Sequence, residues 1–241
     1  MKKKSVLITG ASSGIGFELA LNFVLRENFE VIAFARNADL LEKLREKTPV
    51  TLRANLHIVA GDLTRDEDLK RLFENVKSLA GGLDILINNA GMLKNKKFME
   101  LSSSDWESIY NTNVFGLVSL IRVIHPLMVR SREDDRSHIV NIASMGGVQG
   151  SVKFAGLSAY SSAKAAVAGL SECLAEEFRS DRISVNCLAL GSVQTTMFRE
   201  AFPNIDAAMS PSEMASYIAE FARSGHHFFN GKILPVSVST P

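Results

Sequence analysis

The sequence predicts an α/β fold: one domain over 1–241, a doubly wound parallel sheet of about seven strands with helices on both faces. Three observations carry this. Short β-rich runs alternate along the chain with longer amphipathic stretches, and such alternation builds a parallel sheet through right-handed crossovers. Runs such as Val31-Ile-Ala-Phe34 and Ile85-Leu-Ile87 are apolar without interruption, as strands buried on both faces must be. At 241 residues the chain is long enough for one large core and short for two domains of ordinary size.

Taken in order, the first strand covers Ser5 to Thr9 and runs into a glycine-rich turn and a helix over Ile15 to Arg26. A strand over Glu30 to Ala35 precedes a helix over Asp39 to Glu46, with Asp39 the expected N-cap because its carboxylate can accept from the first free amides. Asn55 to Ala60 and Glu67 to Leu79 form the next strand and helix, and Leu83 to Asn88 the fourth strand. Helical spacing then extends over Asp105 to Val129. The polar run Ser131 to Ser137 reads as a solvated connection into a strand over His138 to Ala143. A loop of glycines and apolar residues leads to a helix over Ala159 to Arg179, a strand over Ile183 to Ala189, a helix over Ser212 to Ala222 and a last strand over Lys232 to Ser237.

Composition excludes several classes of function. The 27 basic and 26 acidic residues leave a net charge of +1 with no long run of either sign, so nucleic acid and acidic membrane surfaces are not implied as partners. Lys2-Lys3-Lys4 resembles the start of a signal peptide, but the apolar stretch after it stops at Ile8, so a soluble cytoplasmic protein is expected. Cys173 and Cys187 stand in apolar surroundings and read as a buried thiol pair in a reducing compartment, not as a disulfide or a metal site. The five histidines have no metal-binding spacing, and His226-His227 reads as surface loop.

Two motifs carry chemistry. Thr9-Gly-Ala-Ser-Ser-Gly-Ile-Gly16 joins a strand to a helix, the context a phosphate-binding turn requires. Gly10, Gly14 and Gly16 allow tight turning and close approach of a pyrophosphate to the helix N-terminus. No Gly-Lys-Ser/Thr follows, so it is not a P-loop. Far along the chain, Tyr160 and Lys164 lie one helical turn apart on one face. An ammonium beside a phenol stabilises the phenolate and lowers its pKa toward the range in which it can transfer protons.

In this order the chain resembles a compact short-chain dehydrogenase/reductase. The resemblance rests on the glycine turn, Asp62-Leu63, Asn88-Asn-Ala-Gly91, Asn113 in Asn111-Thr-Asn-Val-Phe-Gly116, Ser144 in Asn141-Ile-Ala-Ser, the Tyr160/Lys164 pair, and Gly191-Ser-Val-Gln-Thr195. It implies a Rossmann-like fold, a nicotinamide dinucleotide, and reversible hydride transfer between a carbonyl and an alcohol. By that resemblance Ser144 polarises the carbonyl oxygen, Tyr160 passes the proton, Lys164 holds the nicotinamide ribose and lowers the tyrosine pKa, and Asn113 anchors a water leading to Lys164.

On the cofactor side Gly10, Ser12, Ser13, Gly14, Ile15 and Gly16 of the turn are expected to bind the dinucleotide, with the Ser12 and Ser13 hydroxyls as added donors to a 2′-phosphate. By the resemblance Asp62 meets the adenine and Val193 and Thr195 the nicotinamide carboxamide, with Leu63, Asn89, Ala90, Gly91 and Gly191 further cofactor-binding positions. The end of the second strand argues for NADP(H) over NAD(H): Ala35 stands where an acid would accept from a ribose hydroxyl, and Arg36 follows with a guanidinium suited to a 2′-phosphate. Alternatives at these positions are an Arg36 that faces solvent and an Asp62 that serves the turn.

Selectivity is expected from segments 145–158 and 196–212 over the cleft. Ser144, Met145, Tyr160 and Met197 meet the substrate, and Phe198, Phe202 and Met209 either cover it or pack into the core. Ser144 and Tyr160 are farther apart than is usual in the family, and Leu190 replaces the family's proline before Gly191. The expected reaction is reduction of a small to medium apolar ketone, aldehyde or 3-oxoacyl compound by a homodimer or homotetramer. The alternatives are a dinucleotide-binding protein of the same fold without turnover, and an epimerase or dehydratase of the family's extended branch.

Overall fold

A computed structural model of the chain describes residues 3–26, 28–131 and 135–238. It has seven parallel strands: β1 Lys4–Thr9, β2 Phe29–Ala35, β3 Leu56–Ala60, β4 Ile85–Asn88, β5 Ser137–Ser144, β6 Ile183–Leu190 and β7 Ile233–Val236. The spatial order is β3-β2-β1-β4-β5-β6-β7. The helices are α1 Gly14–Val24, α2 Ala38–Lys47, α3 Asp66–Ala80, α4 Ser103–Tyr110, α5 Gly116–Ile124, α6 Ser158–Glu177, α7 Thr196–Ala201 and α8 Pro211–Ser224.

Continuous apolar strands are explained by two cores, one on each face of the sheet. Along β1, Val6 and Ile8 point to one core and Leu7 to the other. Along β2, Val31 and Ala33 alternate with Ile32 and Phe34 in the same way. Leu19 and Phe23 of α1, Leu41 and Leu44 of α2, and Met214 and Ile218 of α8 cover the first face. The second is covered by Leu69 and Leu72 of α3, Leu117 and Leu120 of α5, and Val167 of α6. Each such side chain contributes roughly 1.5–3 kcal/mol on burial, which fixes the register of helix on sheet. Pro235, which has no amide to give, is tolerated because β7 is an edge strand.

Several expectations need correction. Asn37, not Asp39, caps α2: its side chain accepts from Leu40 N at 3.0 Å, which places Asp39 inside the first turn. The single helix expected over Asp105 to Val129 begins at Ser103, opens into a π turn over Asn111–Phe115 and ends at Ile124 before a 3-10 turn that holds Pro126. A proline there lacks the amide that another helical turn would need. Cys187 is buried on β6 and Cys173 is exposed on α6, so the two thiols are not a buried pair. His226 is half-buried, its ring 5.3 Å from that of the fully buried His138, so it belongs to the packing, while the adjacent His227 is exposed as expected. The polar connection read at Ser131 to Ser137 lies partly outside the described residues, as do Lys2 and the end of the chain from 239.

Candidate active site

The sheet order reverses between β1 and β4: the chain moves outward through β2 and β3, then returns to the far side of β1. In an open parallel sheet this point leaves a crevice beyond the carboxyl ends of the strands, where ligands bind. A cleft of about 740 Å³ lies there, reaching from Arg36 and Asp62 at one end to Phe154 and Phe202 at the other.

The floor is built by Thr9. Its hydroxyl accepts from Asn89 N at 3.1 Å and Ala90 N at 3.0 Å, and its carbonyl accepts from Asn89 Nδ2 at 2.9 Å. Asn89 therefore lines the cleft mainly as the clamp that joins the ends of β1 and β4. Gly10 and Gly14 have φ of +69° and +56°, which side chains with a Cβ rarely adopt. Gly16 does not line the cleft; a β-carbon there would collide with Gly10 O, so its place in the motif is close packing of α1 on the strand.

The site's own features decide whether a dinucleotide fits. Ser13 occupies the N-cap of α1 yet its side chain makes no capping bond, so the first amides of the helix and two serine hydroxyls face the cleft without a protein partner for the cap. An anion is the natural partner for such an end. Arg36, at the end of β2, is 70% exposed on its side chain, with Nη1 4.0 Å from Asp62 Oδ2. Asp62 Oδ1 accepts from Thr64 N at 2.9 Å, so this carboxylate also shapes the turn after β3. Gly91 is crowded: a β-carbon would lie 3.0 Å from Asn113 Oδ1 and 3.4 Å from Lys164 Nζ. Gly191 and Val193 line the third side. Thr195 does too, while its hydroxyl caps α7 by accepting from Phe198 N at 3.1 Å.

Ser144, Tyr160 and Lys164 converge at the middle of the cleft. Lys164 is buried and donates to Ile142 O at 2.8 Å. That carbonyl follows Asn141, the last β5 residue paired with β4, so the lysine meets it where the ladder stops. Burial pulls the lysine down to about 8. The phenol of Tyr160 is pushed up to about 12 by burial, and a hydrogen bond with the Ser144 hydroxyl opposes the shift. The expected lowering by Lys164 is absent in this geometry because Nζ sits 5.8 Å from the ring centroid and is directed at Ile142 O.

Asn113 lies behind the cleft, not in its lining. In the π turn Gly116 N reaches five residues back to Asn111 O, and the Asn113 side chain fills the irregularity. Its Nδ2 donates to Ile109 O and Met92 O, each at 2.8 Å, and its Oδ1 accepts from Met92 N at 3.2 Å. A π turn of this kind is a frequent mark of a functional position.

Of the segments 145–158 and 196–212, Met145, Met197, Phe198 and Phe202 line the cleft. Met209 does not line it; it bridges to Val193 and packs on the core. The residue-by-residue reading missed Phe154, Val152 and Leu157 of the loop, and Leu93 and Thr112 opposite. Phe154 was the findable one, the single aromatic in the loop 145–157.

The family model described as short chain dehydrogenase matches residues 4–206. The chain belongs to the short-chain dehydrogenases. The 3-oxoacyl-acyl-carrier-protein reductase of Pseudomonas aeruginosa is 31% identical over 98% of this chain and 97% of its own length. A short chain dehydrogenase from Escherichia coli, solved with NADPH, superposes with a TM-score of 0.86 at 26% identity, covering 98% of this chain and 97% of that one. A 3-ketoacyl-(acyl-carrier-protein) reductase from Brucella melitensis, solved with NADH, gives 0.83 at 25% identity, covering 97% and 96%. Short-chain dehydrogenases are oxidoreductases that bind NAD(P)(H), and this chain has their fold and a cleft beyond the carboxyl ends of its strands.

Proposed function

We propose that this short-chain dehydrogenase transfers hydride between NADP(H) and a carbonyl or alcohol substrate, acting as a carbonyl reductase on a small to medium apolar ketone, aldehyde or 3-oxoacyl compound. The observation that carries it is the convergence of Ser144, Tyr160 and Lys164 in one cleft with Arg36 at its far end. The bound dinucleotide supplies the hydride. Solved relatives hold either NADPH or NADH, so the preference rests on this chain's residues. Arg36 offers a cation to a 2′-phosphate; Ala35 has no carboxylate, and Asp39 does not line the cleft.

When a carbonyl is reduced, charge grows on its oxygen and must meet hydrogen-bond donors and then a proton. Ser144 supplies a hydroxyl beside Tyr160, and the phenol, neutral at physiological pH and kept so by its burial, is the acid. In this reading Lys164, charged below about pH 8, holds the ribose hydroxyls of the bound dinucleotide. Asn113 ties the loop after β4 to the π turn, fixing the wall through which Lys164 would meet water. In the oxidative direction the same groups act in reverse. A cytoplasmic homodimer or homotetramer is part of the same proposal, the assembly supported by the exposed Phe115 beside Tyr110 on the α4–α5 side.

The test is NADPH oxidation across a carbonyl panel with the wild type and Tyr160→Phe. The variant should lose about 10²–10⁴-fold in kcat, the usual worth of a positioned acid, while NADPH still binds. Equal activity in the variant sinks the mechanism. Tight NADPH binding with no turnover of any carbonyl would instead favour a dinucleotide-binding protein without catalysis.

A further inference from the structure

Beyond Ser144 and Tyr160 the cleft runs between three segments: the loop 145–157, α7 with the Phe202 that follows it, and the strap 92–97 after β4. One aromatic from each flap closes across the opening. Phe154 meets Phe202 edge-on with centroids 6.1 Å apart, and Phe202 packs on Phe198 at 5.2 Å.

The strap ties both flaps from outside. Asn95 Nδ2 donates to Ala201 O, the last residue of α7, at 2.7 Å, and Lys96 N donates to Gly156 O in the loop at 3.0 Å. Gly156 has φ of +88°, and a β-carbon there would fall on Asn95 Oδ1, so loop and strap are in closest approach. The strap is itself seated on α4, with Lys94 and Lys96 bonded to the two oxygens of Asp105 at 2.7 and 3.0 Å.

Charge is arranged to match. Among the described lining residues the charged side chains are Arg36, Asp62 and Lys164, all at the dinucleotide end or the reaction centre. Val152, Phe154, Leu157, Met197, Phe202 and Ile205 make the other end apolar. Lys153, within the loop, turns its ammonium onto Gly146 O, Val148 O and Ser151 Oγ, and Arg199 on α7 turns its guanidinium onto Gln194 O and Thr196 Oγ1. A phosphate or carboxylate close to the reacting carbonyl would be desolvated there with no partner.

We propose that Phe154 and Phe202 form a specificity gate that receives the apolar arm of an uncharged aryl or branched-alkyl ketone or aldehyde, and that Asn95 sets how far the gate opens. This rests on the carbonyl-reductase reading and narrows it.

Two measurements test the gate separately from that reading. In a complex with NADP⁺ a ketone binds and cannot react, so saturation-transfer NMR with acetophenone and 2-butanone reads recognition without turnover. The ratio of acetophenone to 2-butanone binding should fall about tenfold in Phe154→Ala, and the ratio of their kcat/KM values for NADPH oxidation should fall with it. Phe154 is 58% exposed, so its truncation spares the core, and an NADP⁺ titration checks that the variant is folded. Asn95→Ala should raise kcat/KM for benzophenone relative to acetophenone. An unchanged acetophenone to 2-butanone ratio in Phe154→Ala overturns the gate, as does wild-type preference for pyruvate over acetophenone. If acetophenone binds through Phe154 but no carbonyl consumes NADPH, the gate stands and the reductase reading falls. Turnover of charged keto acids alone gives the reverse result.

Discussion

Lys164 presents a measurable conflict between stability and chemistry. It is a buried amine whose pKa is pulled from 10.5 to about 8 by loss of water. At about 1.4 kcal/mol per unit, holding it protonated in the folded state costs on the order of 3 kcal/mol relative to the unfolded chain. That penalty is fully present below about pH 8. Between 8 and 10.5 the unfolded chain keeps the proton while the folded protein has released it, so stability rises with pH through this window. Lys164→Met keeps most of the stem and removes the amine, along with the hydrogen bond to Ile142 O, itself worth about 1.5–3 kcal/mol when charged. Near pH 7 the two losses largely cancel and the variant should unfold at a urea concentration close to that of the wild type. At pH 10.5 the variant should be the weaker protein, the difference having swung by about 2–3 kcal/mol toward the wild type. Urea titrations of both proteins at half-unit intervals from pH 7 to 10.5 measure this. A difference that stays flat across the range would refute a desolvated lysine, and with it the idea that the site holds a strained charge.

Three further outcomes follow from the geometry. Arg36→Ala should weaken NADPH binding about tenfold or more by fluorescence titration and leave NADH nearly unaffected; equal losses would remove Arg36 from cofactor selection. Gly16→Ala places a methyl against Gly10 O and 2.5 Å from Asn89 Nδ2, so calorimetry should show a lower Tm and titration a loss of both dinucleotides; normal binding would mean α1 can shift freely. Hydrogen bonds from Lys94 and Lys96 hold the Asp105 carboxyl well below its usual range, so its contribution to stability is present at neutral pH and is lost as pH falls. Asp105→Asn should therefore lower the urea midpoint at pH 7, with the deficit shrinking in acid; a pH-independent deficit would mark the effect as capping alone.

Much of the sheet was legible because two-sided burial leaves so plain a trace: Val31 to Phe34 and Ile85 to Ile87 have nowhere polar to point. The glycine turn and the Tyr160/Lys164 pair were legible because their geometry is local, fixed by a few neighbouring dihedrals or one helical turn. What the sequence hid depends on partners far along the chain. The π turn at Asn111–Phe115 is written in the contacts of Asn113 with Met92, twenty-one residues earlier, and periodicity does not report it. The direction of Lys164 was hidden for the same reason: whether its ammonium faces the phenol or Ile142 O depends on where β4 ends beside β5. Asp39 lost the cap to Asn37 because both residue types accept amide bonds and only the backbone angle of 37 decides between them. Phe154 and Phe202, forty-eight positions apart, meet only because the loop after β5 and α7 fold toward each other.

The strand order has a consequence for how the molecule is made. β1 lies inside the sheet, and one of its neighbours is β4, so Val6 pairs with Ile85. On a ribosome adding about 5–20 residues per second, that second neighbour is synthesised roughly 4–16 s after β1. Through this interval the apolar strand Val6-Leu7-Ile8 has β2 at most on one side and an open row of amides and carbonyls on the other, a template for pairing with another nascent chain. The strand on which the dinucleotide turn is built therefore needs protection for longest during translation.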